Sequence, residues 1–237
     1  MSASRLFSTI AHDVRLQFRS GFYYASAFVG VIMVLLITGL PDFDMRPLWA
    51  PIILENLVIN AFYFMSGLVL LEKGEGILQS LVVSPLRDVE YLSSKVISLT
   101  VLSIFETLLI VVLVSGLAIN WLLLLVGLLI LIGVLALYGF VVVARYDSIS
   151  EFLMPSVLWT FGISLPLLYY FNLWRTPLMF LHPIQAPLVL IQAAFQSIPG
   201  WQIGYGLAYG SLWLAITLLL SRRAFHRFVV RKEGASS

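Results

Sequence analysis

Apolar residues fall in six long blocks along the chain, near 22–40, 48–71, 96–119, 121–144, 152–171 and 204–221, with short polar segments between them. A helix needs about 20 residues to cross a hydrocarbon core of about 30 Å. A backbone in lipid must also satisfy its own hydrogen bonds, so each block predicts a transmembrane helix. Only Asn120 and Trp121 separate the third and fourth blocks, which predicts a tight helical hairpin. Segment 172–203 is apolar in part, but Pro177, Pro183, Pro187 and Pro199 interrupt it. Its longest unbroken piece, LVLIQAAFQSI, is too short to span, so a re-entrant or interfacial segment is expected there, ahead of the last span. The pattern predicts an all-α fold, one transmembrane domain over 1–237.

The N-terminus has a different period. On a helical wheel Leu6, Phe7, Ile10, Ala11, Val14 and Phe18 fall within about 140° of arc, with Arg5, His12, Arg15 and Arg19 opposite. Only Leu16 and Gln17 break the pattern. Segment 1–21 therefore reads as a basic amphipathic helix in the headgroup plane, either a plain anchor or an elbow that moves with the first span. A cleavable signal peptide is not expected, because the first apolar run continues for a full span without a small-residue cleavage site.

Composition agrees: of 237 residues 60% are hydrophobic and only 11% charged, with a mean hydropathy of +0.99, where soluble domains carry about a quarter charged residues. Charge placement fixes the orientation. With six spans, the N-terminus, 72–95, 145–151 and the C-terminus share one side, and that side holds every Lys and Arg except Arg46 and Arg175. By the positive-inside rule both ends are cytosolic in a prokaryotic inner (plasma) membrane. A seventh span would export Arg222, Arg223, Arg227, Arg231 and Lys232.

The first cytosolic loop, LEKGEGILQSLVVSPLRDVEYLSSK, carries an apolar patch of its own. Gly74 and Gly76 end the preceding helix. Ile77, Leu78, Leu81 and Val82 then have the spacing of a two-turn amphipathic helix, and Ser84-Pro85 stops it. Such a patch outside the membrane needs a cover: lipid headgroups, the chain's own spans, or a separate subunit. The run resembles the loop of ABC-2-type transporter permeases, in which charged residues and glycine precede an apolar helix, Thr-Pro-Leu and Gly-Lys. Glu72, Lys73 and Glu75 match the charged lead-in, Gly76 the glycine, and Leu78, Leu81 and Val82 the helix. Pro85 and Leu86 match the stop and Lys95 the lysine, while Ser84 and Ser94 stand where threonine and glycine are usual.

The resemblance implies that 72–88 is a coupling helix seated on an ATP-binding cassette subunit, with Glu72, Lys73, Gly74, Glu75, Gly76, Ile77, Leu78, Leu81, Val82, Ser84 and Pro85 at or shaping the contact. It implies a permease subunit of an ATP-driven exporter that handles a drug-like, lipid or polysaccharide-type amphiphile. This subunit would not be an enzyme; it would work as a homodimer or heterodimer with a related permease, and ATP and Mg would be bound by the partner chain. No G-x-x-x-x-G-K-[ST] occurs in the sequence.

Inside the spans the chemistry is sparse. Glu106 lies midway along the third block, where an acid costs about 2.5–3.5 kcal/mol on insertion scales, so it should face protein or water. It is expected either as a protonated carboxyl bonded between helices or as part of a substrate or proton path. Glu55, Asn56 and Asn60 cluster in the second block, as packing glue or as pathway lining. Gly206 and Gly210 form a G-x-x-x-G for close packing or dimer contact. Ser148 and Glu151 have capping-box spacing, and Pro155 and Pro166 should bend the fifth span. There is no cysteine, and His12, His182 and His226 form no metal or catalytic motif. The alternative is a stand-alone membrane protein, such as a proton-coupled secondary transporter using Glu106.

Overall fold

The computed structural model describes residues 3–39, 44–77 and 88–230, and every regular element among those residues is a helix. Helix α1 spans Ala3–Arg19 and α2 Phe22–Thr38. The two meet at a 63° bend. Gly21 makes the bend at φ +86°, a left-handed angle that glycine adopts without a Cβ penalty. Helix α3 runs Trp49–Gly74, α4 Asp88–Ser115, α5 Trp121–Val143 and α6 Ile149–Tyr170. The short α7 covers Gln185–Phe195, and α8 covers Gly200–Ala224, running on as a π-helical turn over Phe225–Val230.

Five of these, α3, α4, α5, α6 and α8, are long and apolar enough to cross a membrane alone; the α1–α2 pair passes the same test as one bent unit. The all-α polytopic fold read from the blocks is thus the one observed. The boundaries move where polar residues extend a helix beyond the lipid: α4 begins at Asp88 rather than near 96. It ends at Ser115, because Gly116 adopts φ +69°, and the hairpin to α5 takes residues 116–120. Asn120 then caps α5, its side chain accepting from the Leu123 N–H at 3.2 Å.

Helices α3 and α5 form the core, with most of their apolar residues buried, while α6 and α8 lie outside with few of theirs buried. The core is tight enough that a Cβ on Gly139 of α5 would sit 2.7 Å from the Phe62 carbonyl oxygen of α3. The proline-broken segment contributes α7, which packs on α5, α8 and α3. Its eleven residues are too few to span, and Phe195 stacks on Trp49 at 5.4 Å between ring centroids. Gly206 and Gly210 of α8 lie against this packing. A Cβ at Gly206 would meet Leu190 at 2.6 Å, and one at Gly210 would meet Ile130 at 3.0 Å. In α6 the Ser148 hydroxyl accepts from the Glu151 N–H, Pro155 sits inside the helix, and Pro166 opens its last turn after a break at Leu165.

Candidate functional site

The start of the 72–88 loop is fixed by an ionic network that joins three helices. Lys95 of α4 is fully buried and donates to Glu72 Oε1 of α3 at 2.5 Å and to Asp13 Oδ1 of α1 at 3.1 Å. The remaining carboxylate oxygens take hydroxyl donors: Tyr91 to Glu72 Oε2 at 2.5 Å and Ser94 to Asp13 Oδ2 at 2.6 Å. The Lys95 ammonium also stands 4.7 Å from the Tyr91 ring centroid. Burying charges is costly unless they are paired and further hydrogen-bonded, and here each of the four carboxylate oxygens has a donor. Next to it Gln17 of α1 donates to Ser98 of α4 at 2.7 Å, and Leu16 is buried. The stripe residues Phe7 and Phe18 remain exposed.

The rest of the loop's ends are fixed by other elements. Lys73 donates to the Ala144 and Tyr146 carbonyls at 2.8 and 2.6 Å and faces Asp147 at 3.7 Å, tying α3 to the α5–α6 connection. Asp88, where α4 begins, pairs with Arg222 at 2.9 Å and His226 at 3.2 Å. Glu75 faces Arg19 at 3.7 Å in an exposed pair.

Of the expected coupling residues, Glu72 and Lys73 are turned into the chain, Glu72 almost fully: Glu72 pairs with the buried Lys95, and Lys73 with the Ala144 and Tyr146 carbonyls and the exposed Asp147. Gly74 and Glu75 are exposed, and Gly76, at φ +71°, and Ile77 are half-buried. Leu78, Leu81, Val82, Ser84 and Pro85 lie outside the described residues, as does most of the expected coupling helix.

About three turns along α4 from Lys95 lies the second buried site. Glu106 Oε2 accepts from the Ser26 hydroxyl of α2 at 2.6 Å and from the Asn60 amide of α3. Asn60 sits in a π-helical turn, Val58–Tyr63, and also donates to Asn56 Oδ1 at 3.1 Å. Such turns widen a helix locally and recur at functional sites. Ser26 and Gly30 are the buried residues of α2, and both face Glu106. The structure therefore brings together Asn56, Asn60 and Glu106, and adds Ser26.

Glu55 does not join them. It accepts from Ser164 of α6 at 2.7 Å, because its neighbour Asn56 points about 100° away around the helix. With the Tyr63 hydroxyl 2.8 Å from Thr160, it forms a separate polar seam between α3 and α6.

Asp13 and Ser26 were not among the residues expected to matter. For Asp13 the available signal was the pair of pattern-breakers beside it, Leu16 and Gln17, which mark the face of α1 that packs on α4. For Ser26 it was the spacing to Gly30, one turn of small residues in an otherwise bulky helix.

Comparison with known proteins agrees with the ABC-2-type resemblance. A model of the fluoroquinolones export permease protein family matches residues 4–233. Two fluoroquinolones export permease proteins, from two strains of Mycobacterium tuberculosis, are each 30% identical over 235 residues, covering 98% of this chain and 99% of the relative.

Proposed function

Because the chain belongs to the fluoroquinolone export permease family, we propose that it is the membrane subunit of an ATP-driven exporter of amphiphilic molecules, with the ATPase on a separate chain. The observation that carries this reading is the wiring of the 72–88 loop. Its first residues are bound to α1, α4 and the α5–α6 connection, and its exit is bound to the end of α8. A push on such a loop reaches four elements through these bonds, the buried Lys95 network foremost. A loop that served only as a linker has no use for that arrangement.

In this mechanism the ATPase subunit seats on 72–88 from the cytosol. The Lys95 network keeps the start of α4 in register with α1 and the end of α3, so the three move as one body. Transport then follows from rocking of that body against a second permease, identical or related. Both chain ends lie in the cytosol of an inner-membrane protein, as the distribution of basic residues supports. The substrate class follows the relatives' names: fluoroquinolone-like drugs or molecules of similar amphiphilic character.

The test is affinity capture of the solubilised permease from its native membrane, followed by identification of co-purifying chains. The expected result is a Walker-motif ATPase in roughly equal amount that is lost from a Leu78→Asp, Leu81→Asp variant. Transport by the permease reconstituted alone, with no ATPase, would instead favour a proton-coupled carrier centred on Glu106.

A further inference from the structure

Between α2 and α4 the surface opens into a groove of about 500 Å³. Its walls are apolar side chains, among them Ala27, Val31 and Val34 from α2 and Val101, Phe105 and Leu109 from α4. The polar residues that line it are Glu106 and Ser26 at its floor and Tyr23. Glu106 is 94% buried by its 6% exposure, and its Oε1 has no hydrogen-bond partner among the described residues. That oxygen is directed toward Gly30, itself a groove residue, whose absent Cβ would lie 3.3 Å from it.

Ser26 and Asn60 both donate to Oε2, leaving Oε1 of Glu106 and Oδ1 of Asn60 buried and unpartnered. No Lys or Arg lies within the apolar part of any helix to supply the missing charge; the nearest on α4, Lys95, is committed to Glu72 and Asp13. A buried acceptor left unmade costs more than a typical hydrogen bond contributes, so the site is complete only when a donor enters from the groove.

We propose that this groove is a binding site for a lipophilic molecule carrying a protonated amine, with the ammonium donating to Glu106 Oε1 and the apolar body lying between α2 and α4. The inference rests on the exporter reading and names its substrate chemistry. The absence of a side chain at Gly30 leaves room for the ammonium to approach. The walls supply the rest of the binding by burying hydrocarbon surface, without demanding one particular shape.

The experiment uses the full-length permease in nanodiscs, titrated with a dansyl-labelled alkyl amine and with its N-acetyl counterpart, which is neutral and otherwise the same. Lipid-only nanodiscs supply the partition background. Wild type is expected to bind the amine about tenfold or more tightly than the neutral compound, the ratio for one charge-assisted hydrogen bond. In Glu106→Gln that preference should vanish while binding of the neutral compound persists. If Glu106→Gln does not fold, Gly30→Val, which retains the carboxylate but blocks the approach to Oε1, should lose the same preference. Equal binding of the two compounds by wild type would mean that the groove holds only hydrocarbon tails, and would overturn the proposal. A preference that survives both variants would overturn it too. So would nanodiscs holding two permease copies with no probe bound, which would assign the groove to a second copy. No ATPase is present in this titration, so its failure leaves the capture experiment above untouched, and failure of that capture leaves this titration interpretable.

Discussion

Helix α4 carries two buried ionic sites about three turns apart. At Lys95, one cation is shared by two carboxylates, and each carboxylate also receives a hydroxyl proton donor. At Glu106, one carboxylate receives two neutral donors on the same oxygen and none on the other. The first site is satisfied within the chain and joins α1, α3 and α4. The second joins α2, α3 and α4 but leaves one acceptor waiting beside an open groove. A completed network holds helices in fixed register; an incomplete one leaves chemistry available to a visitor. Transmission is the role proposed for the first, and recognition the role proposed for the second.

The difference can be broken most severely at Lys95. Lys95→Met leaves two buried carboxylates without their cation and should cost about 3–5 kcal/mol. Thermal denaturation of the detergent-solubilised protein, followed by fluorescence-detected size exclusion, measures it. Asn60→Ala removes one of the two donors to Glu106 and should cost about 1–3 kcal/mol in the same assay. Arg19→Gln breaks the exposed pair with Glu75 and should cost less than about 1 kcal/mol, an effect that added salt removes. Glu106→Gln should have the smallest effect on stability. The amide oxygen can take both bonds now made by Oε2, and its NH2 group occupies the unpartnered position, so the melting temperature should stay the same or rise. If Glu106→Gln proves as damaging as Lys95→Met, the contrast between the two sites fails.

Much of the architecture was legible in the sequence because lipid imposes a rule that residues obey one block at a time: about 20 apolar residues per crossing. The helix ends were less legible, since α4 starts in the polar stretch at Asp88, and composition marks only the part of a helix that lies in hydrocarbon. Glu106 and the asparagines could be singled out as costly residues, but their partners could not. Asn60 and Glu106 are 46 positions apart and Ser26 and Glu106 are 80 apart, separations that no local period encodes. Adjacency misled in one case, grouping Glu55 with Asn56 although consecutive helical residues face different neighbours. The Lys95 network was hidden for a related reason. Glu72 and Lys95 read as surface charges flanking a loop, and only the fold of α1 over α4 buries them with Asp13.

The proposed role of the Lys95 network is to transmit movement of the 72–88 loop to the membrane helices. The direct measurement is ATP hydrolysis and substrate transport in the same proteoliposomes, using the permease with its co-purified ATPase, for wild type, Asp13→Asn and Ile77→Asp. Asp13→Asn keeps the Lys95–Glu72 pair but loosens α1, so the complex should still assemble and hydrolyse ATP while transport falls several-fold. Ile77→Asp, at the half-buried start of the loop, should lose the ATPase subunit itself. Transport by Asp13→Asn at the wild-type ratio of substrate moved to ATP hydrolysed would contradict the account.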